Sequence, residues 1–521
     1  MKRCPECRRD YLDDSLLYCL EDGAALAQGT VPAPDEPQTA ILSASPAAAS
    51  PTAVFSAKPA GSHESQNSIA VLPFANMSAD ADNEYFCDGL SEELLNALSK
   101  IEELKVAART SSFSFKGKQK NIGEIARVLN VKTVLEGSVR RSADRVRITA
   151  QLINASDGYH LWSERYDREM RDIFDVQDEI TVAVVDALKV KLLGEEKAEV
   201  LKRHTNSPEA YELYLRGLSY YMKWERPFFQ KAVECFNQAI AIDARYAAAY
   251  AVMAECCTEL SFFSSAGDWM PKAKEAARKA LELDDTLGEG HNALAVILMY
   301  YDHDLVAAER EFQRAISLDP ANSRFHNWYG WYLGLTGRFE EGLVEMDRAL
   351  ELDPLSELIK FGIGSIYHWS RQTEKAIGYF QRILELNPSF MLAFWFLVDA
   401  YVAKGDIDSA IATIEDSPLK ELDHVTLSTL GHAYAKAGRS EKAHEILARF
   451  ERQIDEDNEM SFYIAQIYLG LDDKEKALDW FERAVDEKSV WLFPLARDPK
   501  FDPLRSEPRF KKLLRRMNLP E

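Results

Sequence analysis

The segment GSIYHWSRQTEKAIGYFQRILELNP, residues 364–388, decides the fold of most of this 521-residue chain. It places a small residue, Gly364, three positions before Tyr367 and twelve positions before a second small residue, Ala376. Pro388 ends the segment, because proline cannot continue a helix. The pattern predicts two helices packed as a hairpin, with the small residues where the helices approach most closely.

The same pattern recurs along the C-terminal three-fifths of the chain. The second small position falls, at spacings of 34, 34, 33 and 34, on Gly342, Ala376, Ala410, Ala443 and Ala477. The first small position falls on Gly330, Gly364, Val398, Gly431 and Ala465, and the large residue three positions later on Leu333, Tyr367, Tyr401, Tyr434 and Tyr468. This small-then-aromatic order resembles the tetratricopeptide repeat (TPR). Looser alanine pairs upstream extend the prediction to about eight hairpins between residues 207 and 491.

A hairpin of this kind buries its apolar face only against its neighbours, so the array is expected to form one superhelix with a concave surface. Such surfaces bind peptides or protein segments, and we expect partners there. The regular tyrosines are predicted to be structural. Binding is predicted at variable first-helix positions, where the aromatic clusters are unusually dense: Phe325, Trp328, Tyr329, Tyr332, Phe394 and Trp395. Packing between helices is the alternative role for some of these side chains.

Shifts in composition divide the chain into five regions and predict a multidomain fold. They are a small zinc-ribbon-like head (1–28), a flexible Ala/Pro/Ser linker (29–66), an α/β domain (67–195), an all-α TPR array (206–491) and a C-terminal cap (492–521). The basic run between Arg509 and Arg516 is predicted to be the solvated face of that cap.

Residues 67–195 alternate strand and helix patterns. A buried strand is predicted at 68–74, a helix capped by Ser91 at 91–98, a strand at 104–108 and a helix at 122–129. Alternating stretches at 133–140, 145–152 and 160–165 predict an antiparallel meander, followed by a helix from Ile173.

Several motifs of this region resemble the TolB-like domain of bacterial regulatory proteins, which often stands beside adenylate cyclase modules and before TPRs. The motifs are Ile69–Phe74, Tyr85–Gly89 followed by Ser91–Glu93, Ala108–Ser111, Phe115–Gly117, Leu135–Arg140 and Leu161–Asp167. The resemblance implies an α/β regulatory or sensory module without established catalytic residues.

Basic residues are concentrated in this domain although the protein is acidic. Arg109, Lys116, Arg140 and Arg147 are therefore candidate ligands for an anionic, phosphate-bearing molecule. The alternative is that these arginines and the lysine lie on the ordinary solvated face of a meander.

The head carries Cys4-Pro-Glu-Cys7 and Cys19-Leu-Glu-Asp22, the spacing of two zinc knuckles. Tetrahedral zinc needs four ligands, and Cys4, Cys7, Cys19 and Asp22 supply three thiolates and one carboxylate. The pattern resembles bacterial zinc-ribbon heads, and one structural zinc ion is predicted. A degenerate ribbon without metal is the alternative. The other cysteines are expected to be buried thiols.

The formal net charge of −22 disfavours a nucleic-acid partner. No apolar run is long enough for membrane insertion and the start lacks a secretory signal, so a cytoplasmic location is expected. The sequence has no kinase glycine loop with its partner motifs, no P-loop and no cyclase pair.

We therefore expect a non-enzymatic interaction scaffold or adaptor in bacterial signalling or regulation. A ligand-sensing or transcription-linked regulator, using the α/β domain and the zinc ribbon, is the alternative. The oligomeric state, the pathway and the identity of the partner stay open at this stage.

Overall fold

The computed structural model describes residues 67–520 except 81–82, 102, 119, 143, 191–193, 418–421 and 454–459, together with three short N-terminal strands. The chain divides into two compact units, residues 1–63 and 64–521. In the first unit, β1 (Lys2–Arg3) pairs antiparallel with both β2 (Asp10–Tyr11) and β3 (Ala27–Gln28). Cys4, Cys7, Cys19 and Asp22 lie outside the described residues, so zinc binding stays a prediction.

The second unit begins with an α/β domain. Its strands are β4 (Asn67–Val71), β5 (Ala75–Asn76), β6 (Leu104–Val106), β7 (Thr133–Ser142), β8 (Arg145–Asn154) and β9 (His160–Glu169). Its helices are α1 (Glu84–Ser99), α2 (Arg109–Phe113), α3 (Ile122–Leu129), α4 (Ile173–Ala187) and α5 (Gly194–Val200). The sheet order is β6-β4-β7-β8-β9, with β5 also paired to β7. The first part of the sheet is parallel, and β7, β8 and β9 form the expected antiparallel meander.

The strand β4 shows why this sheet is covered on both faces. Successive side chains of a strand point to opposite faces. Ile69 and Val71 belong to the core beneath α1 and α4, whereas Ala70 packs in a second core that includes Ile125 and Leu129 of α3. A strand buried on both faces is continuously apolar, as β4 is from Ile69 to Val71.

The helix that contains Ser91 starts earlier than the sequence predicts. The prediction that Ser91 caps it is wrong, because α1 begins at Glu84 and Ser91 lies in its interior. The hydroxyl of Ser91 accepts a hydrogen bond from the Phe74 amide at 2.8 Å and donates one to the Cys87 carbonyl at 2.9 Å. Ser91 therefore fixes the chain after β4 to α1, a tertiary contact that no local pattern reveals.

The rest of the unit is a helical array of eight hairpins. The first helices of the hairpins are α6 (Pro208–Tyr221), α8 (Ala247–Leu260), α10 (Gly288–Ile297), α12 (Ser323–Thr336), α14 (Glu357–Trp369), α16 (Met391–Lys404), α18 (His424–Lys436) and α20 (Met460–Gly470). The second helices are α7 (Arg226–Ile242), α9 (Ala266–Leu283), α11 (Leu305–Leu318), α13 (Phe339–Leu352), α15 (Thr373–Leu386), α17 (Ile407–Glu415), α19 (Ser440–Gln453) and α21 (Lys474–Asp486).

The small residues of the repeat lie where the two helices of a hairpin touch. Ala376 and Phe380 of α15 are fully buried. A Cβ built on Gly364 of α14 would lie 2.7 Å from Cε1 of Phe380, closer than carbon atoms approach. Glycine at this position therefore lets the aromatic ring fill the space between the helices.

After α21 the chain no longer forms long helices. Two 3₁₀ stretches, Val490–Ala496 and Pro499–Leu504, precede a last helix, α22 (Pro508–Arg516). Arg509 of α22 pairs with Glu475, Asp479 and Glu482 on or near α21. The cap predicted for residues 492–521 thus includes a helix held on α21 by ion pairs. Within the described part of the chain, no helix is both long and apolar enough to cross a bilayer.

Replacing Phe380 by alanine is expected to destabilise the array by about 3–5 kcal/mol, because the ring is fully buried and its loss leaves a cavity between α14 and α15. Thermal unfolding followed by circular dichroism measures the change. Val344→Ala on α13 is the control, since that side chain is 66% exposed and its truncation should change stability by less than about 0.5 kcal/mol. Equal shifts for the two variants would contradict this packing.

Candidate functional site

The first helices of the hairpins form one continuous surface, which we call the inner face. Equivalent positions on successive first helices, 34, 34, 33 and 34 residues apart, carry Trp331, Ser365, Asp399, His432 and Gln466. These residues belong to α12, α14, α16, α18 and α20. The inner face therefore changes from aromatic to polar along the array, while the buried contacts within hairpins repeat.

Residues 489–505, which we call the C-terminal segment, lie against this inner face. The ring of Trp491 lies 5.7 Å from Phe262, 5.9 Å from Trp395 and 6.3 Å from Tyr463, measured between ring centroids. Phe262 directly follows the C-cap of α8, whereas Trp395 and Tyr463 belong to α16 and α20. One side chain of the segment thus contacts three hairpins that are far apart in sequence.

Phe493 makes a second aromatic contact two residues further on. Its ring centroid lies 5.2 Å from that of Tyr300, which follows α10, and 5.8 Å from that of Trp331 on α12. Leu492 and Leu495 are fully buried. The segment therefore inserts its aromatic and aliphatic side chains among the first helices, a contact that the predicted C-terminal cap does not include.

A buried ionic cluster joins the segment to the polar part of the inner face. Nζ of Lys500 lies 2.6 Å from Oδ2 of Asp399 and donates to Oε1 of Gln466 at 2.8 Å. Nε2 of His368 lies 3.5 Å from Oδ1 of Asp498. All four charged or ionisable side chains are less than 10% exposed. A buried charge requires a partner, so the cluster permits only one register of the segment.

The pKa values in this cluster follow from burial and charge. Burial raises the pKa of Asp399, although Lys500 lies beside it. The pKa of Asp498 is lowered, because the attraction of Lys500 and His368 and a backbone hydrogen bond outweigh its burial. Asp498 therefore keeps its negative charge inside the protein, and this charge adds to that of Asp399 in raising the pKa of Lys500.

Two arginines, one on each side of the contact, join the segment to the array by hydrogen bonds to main-chain carbonyls. The guanidinium of Arg497 donates to the carbonyls of Leu335 at 3.4 Å and Thr336 at 3.0 Å, at the C-terminal end of α12. Arg371 donates to the carbonyl of Arg497 at 2.6 Å. Gly337 has φ +88°, and a Cβ there would lie 2.8 Å from the Arg497 guanidinium. A glycine C-cap is thus required both by the backbone conformation and by the close approach of Arg497.

Several charged side chains of α8 and α12 lie close to one another. Arg324 pairs with Glu255 at 2.8 Å and donates to the Tyr221 hydroxyl at 3.2 Å. Burial raises the pKa of Glu259, one turn after Glu255, to about 8. This carboxyl is therefore protonated in a substantial fraction of molecules at neutral pH.

The α/β domain and the linker after it contact a different edge of the array. The loops between hairpins carry an aspartate at the end of each of the first four second helices, namely Asp243, Asp284, Asp319 and Asp353. We call these residues the aspartate row. Thr205 donates to Asp243 at 2.6 Å, Lys202 pairs with Asp284 at 2.8 Å, and Ser111 of α2 donates to Asp353. The row is therefore a docking edge for the N-terminal part of the unit.

Contacts between α1, β7 and α6 reinforce this docking. A Cβ on Gly89 would lie 2.6 Å from Cδ2 of Leu215, and Tyr85 donates a hydrogen bond to Glu212 at 2.5 Å. Arg141 binds the same carboxylate with two hydrogen bonds, at 2.9 and 3.0 Å. The Tyr85–Gly89 motif, which supports the TolB-like resemblance, thus lies at the interface with the array.

The predicted partner-binding aromatics differ in exposure. Phe325, Tyr329, Tyr332 and Phe394 are less than 8% exposed, which agrees with the alternative role of packing between helices, and partner binding at these four residues stays a prediction. They are buried because consecutive hairpins cover both sides of α12 and α16. Trp328 and Trp395 are half-buried, and Trp395 contacts the C-terminal segment through Trp491. Partner binding at these two residues stays a prediction.

The four predicted anion ligands do not converge on one point. Arg109 pairs with Glu92 at 3.0 Å, and Lys116 pairs with Glu84 and Asp88. Arg147 pairs with Asp167, whereas Arg140 donates to the Met77 carbonyl at 3.2 Å. Three of the four are therefore already neutralised by carboxylates, and binding of an anion at any of them stays a prediction.

Cysteine chemistry and metal binding give no further site in the part of the chain that the structure describes. Cys87, Cys235, Cys256 and Cys257 are free and buried, as expected. Burial raises the pKa of Cys257 to about 12, so its thiol stays protonated and unreactive. The described residues contain no group of three or more His, Cys, Asp or Glu side chains placed to hold a metal ion.

Sequence comparison identifies the helical hairpins. Residues 300–357, 370–418 and 428–489 match the family described as tetratricopeptide repeat. The array is built of TPRs. The hairpin geometry, the small residues at the helix contacts and the family match agree over the second half of the array, and α6 to α9 continue the same architecture upstream.

The α/β domain matches a family with a different name from the one expected. Residues 65–203 match the HilA/YgeH-like transcriptional regulator, second domain. The comparison thus gives this domain a HilA/YgeH-like description rather than the TolB-like one that its motifs suggest.

Two curated relatives are similar over part of the chain. The protein named "Putative adenylate cyclase 3" of Rhizobium meliloti (strain 1021) is 40% identical over 251 residues, which are 47% of this chain and 42% of that protein. The transcriptional regulator HilA of Salmonella paratyphi A is 30% identical over 152 residues, 29% of this chain and 27% of HilA. The chain spans less than half the length of either relative.

The crystal structure of PilW, a widely conserved type IV pilus biogenesis factor, aligns with 39% of this chain and 94% of its own length. The aligned residues are 23% identical and the TM-score is 0.32. At that score the likeness supports no functional statement.

Asp353→Ala is expected to weaken the docking of α2 by about 1–3 kcal/mol, because the buried Ser111 hydroxyl loses its acceptor. Urea denaturation of the full chain measures the change. Asp353→Asn is the matched control, since its amide oxygen still accepts the hydrogen bond, and the loss should be smaller. An alanine variant as stable as the wild type would show that the aspartate row does not hold the domain.

Glu259→Gln is expected to stabilise the protein at about pH 8.5 and to have little effect at about pH 5. The folded-state pKa of about 8 lies above the ordinary value, so folding favours the protonated carboxyl. The unfolded state releases that proton near pH 4–5, and the stability cost grows as the pH rises toward 8. After screening, the gain should be on the order of 1 kcal/mol. Thermal midpoints at the two pH values test this, and a gain of equal size at both would contradict it.

Proposed function

We propose that the protein is a non-enzymatic interaction scaffold or adaptor in bacterial regulation, and that it binds protein segments on the inner face of its TPR array. The observation that supports this most strongly is the C-terminal segment itself. The inner face holds a non-α-helical piece of protein through two aromatic side chains, a buried ion pair and a hydrogen bond to its main chain. These are the contacts by which a surface recognises a peptide.

The inner face combines affinity and specificity. Aromatic anchors in desolvated pockets supply most of the binding energy in protein interfaces. Asp399 and Gln466 select a cationic side chain, because a buried carboxylate without a partner is costly. A partner that offers aromatic side chains and one lysine in the right register would satisfy both requirements.

A ligand-sensing or transcription-linked regulator is the second candidate function. It is favoured by the HilA/YgeH-like family match of residues 65–203 and by the firm attachment of that domain to the array. A ligand that shifts α1 or α2 would alter the contacts of the aspartate row. Binding of nucleotides or DNA by the full chain distinguishes this candidate from a scaffold that binds protein alone.

We also propose that Cys4, Cys7, Cys19 and Asp22 bind one structural zinc ion, and that the protein acts in the cytoplasm. Three thiolates and a carboxylate are a donor set that suits zinc. Metal analysis of the full chain, compared with a variant in which Cys4 and Cys7 are serine, tests the zinc proposal. A metal content below one zinc per chain in the unmodified protein would reject it.

The scaffold proposal predicts where a partner touches the array. A partner captured with the full chain from its own cell extract is purified and mixed with protein carrying the photo-crosslinker p-benzoylphenylalanine in place of Trp395, on the inner face. Crosslinks to the partner are expected, because an aromatic group there lies among the segment-binding residues.

The matched control carries the same photo-crosslinker in place of Val344, which is 66% exposed on α13. No partner crosslink is expected from this second-helix position. Crosslinks from position 344 without any from position 395 would place the binding surface elsewhere and reject the proposal.

A further inference from the structure

The C-terminal segment combines a set of contacts that an independent ligand would also need. Trp491 and Phe493 reach Phe262, Tyr300, Trp331, Trp395 and Tyr463, and Lys500 enters the pocket formed by Asp399 and Gln466. The segment contains three prolines, Pro494, Pro499 and Pro503, and forms 3₁₀ turns in two stretches of 7 and 6 residues. Such turns have poor hydrogen-bond geometry, so the segment depends on the inner face for its conformation.

We propose that the C-terminal segment is the resident occupant of the partner site, and that an external protein segment of the same chemistry displaces it. This inference rests on the proposed function. The partner class is a segment that adopts 3₁₀ turns and carries two aromatic side chains two residues apart, followed after a few residues by an Asp-x-Lys sequence, as in Trp491, Phe493, Asp498 and Lys500. The C-terminal segment therefore occupies the inner face until such a partner displaces it.

The charged contacts suit an exchangeable occupant better than a permanent core. A buried ion pair is weak evidence for stability, because the loss of hydration offsets much of the attraction. It does define the register strictly, since a segment shifted by one residue would leave Asp399 and Asp498 without partners. An apolar side chain at position 500 would serve a purely structural plug equally well.

The residues on both sides of the segment are held independently of it. Lys488, directly before it, has φ +55°, a left-handed conformation that is uncommon for residues other than glycine and that ends the α21 region. On the other side, α22 is held on α21 separately, through the ion pairs of Arg509 and that of Arg516 with Asp486. Residues 489–505 therefore move away as a loop while α22 still covers the last hairpin.

A competition experiment tests the proposal. A fluorescein-labelled synthetic peptide of residues 488–506 is titrated with the full-length wild type and with Trp491→Ala/Phe493→Ala, in which the resident segment has lost its anchors and the inner face is unchanged. Fluorescence anisotropy gives the dissociation constant for each. Because a tethered segment acts at an effective concentration of roughly 1 mM, the peptide should bind the variant about 100-fold more tightly than the wild type.

Lys512→Ala is the matched control, since Lys512 is exposed on α22 outside the segment, and the variant should bind the peptide as weakly as the wild type. Circular dichroism checks that each variant is folded. If the double variant does not fold, Arg497→Ala provides the same test, because it removes the hydrogen bonds to the Leu335 and Thr336 carbonyls without opening a cavity.

Two results would overturn the proposal, and they differ in what they imply. Equal affinity of the wild type and the folded opening variant would show that the resident segment does not compete, while the inner face remains a binding surface. No binding of the peptide to the folded opening variant would show that the inner face does not accept such a segment, and the proposed function would lose its main support as well.

Discussion

A TPR hairpin cannot bury its own apolar face, and the rest of this structure follows from that constraint. Each first helix packs on the preceding hairpin, so the two ends of the array and its inner face stay uncovered unless other parts of the chain protect them. The N-terminal end packs against α1, where Gly89 allows close contact with Leu215. The C-terminal end is covered by α22, and the inner face by residues 489–505. In the compact unit from residue 64 onward, other parts of the chain thus cover both ends of the array and its inner face.

The two kinds of coverage differ physically. The α/β domain shares a continuous hydrophobic core with the first two hairpins, and hydrogen bonds and ion pairs to the aspartate row extend that contact along one edge. The C-terminal segment lacks long helices; Leu492, Leu495 and Phe501 join the hydrophobic core of the last hairpins, and aromatic contacts and a buried ionic cluster fix the segment's register. The first arrangement is typical of a permanent domain interface, whereas the second resembles a bound peptide. A change in the α/β domain would be transmitted to the array through the first interface, and a partner would act at the second.

The parts of this fold that the sequence predicts are those with local causes. The period of the hairpins is visible because every unit needs small residues at the same helix contact, as Gly364 and Ala376 illustrate. The antiparallel meander is visible because β7, β8 and β9 alternate and are joined by short turns. The position of Ser91 inside α1 is not predicted, because its hydrogen bonds to Phe74 and Cys87 depend on the tertiary fold.

The candidate site is less predictable. The aromatic residues around Phe325 and Phe394 are conspicuous in the sequence. Whether their side chains are exposed, however, depends on which side of each helix the neighbouring helices cover. The path of the C-terminal segment depends on the curvature that accumulates over eight hairpins. The sequence nevertheless contains two signals: the three prolines between Trp491 and Leu504, which exclude a long helix, and the aspartate that ends each of the first four second helices. The first indicates a segment without a long helix, and the second marks one edge of the first four hairpins.

Hydrogen–deuterium exchange of the full-length protein tests most directly whether the C-terminal segment leaves the inner face while the array stays folded. Amides between Val490 and Leu504 are expected to exchange markedly faster than those of α14 and α16, which the segment contacts, because the segment opens without global unfolding. Exchange of the segment at the same slow rate as α14 and α16 would make it a permanent part of the core. That result would contradict the central claim that the inner face is a binding surface with a replaceable occupant.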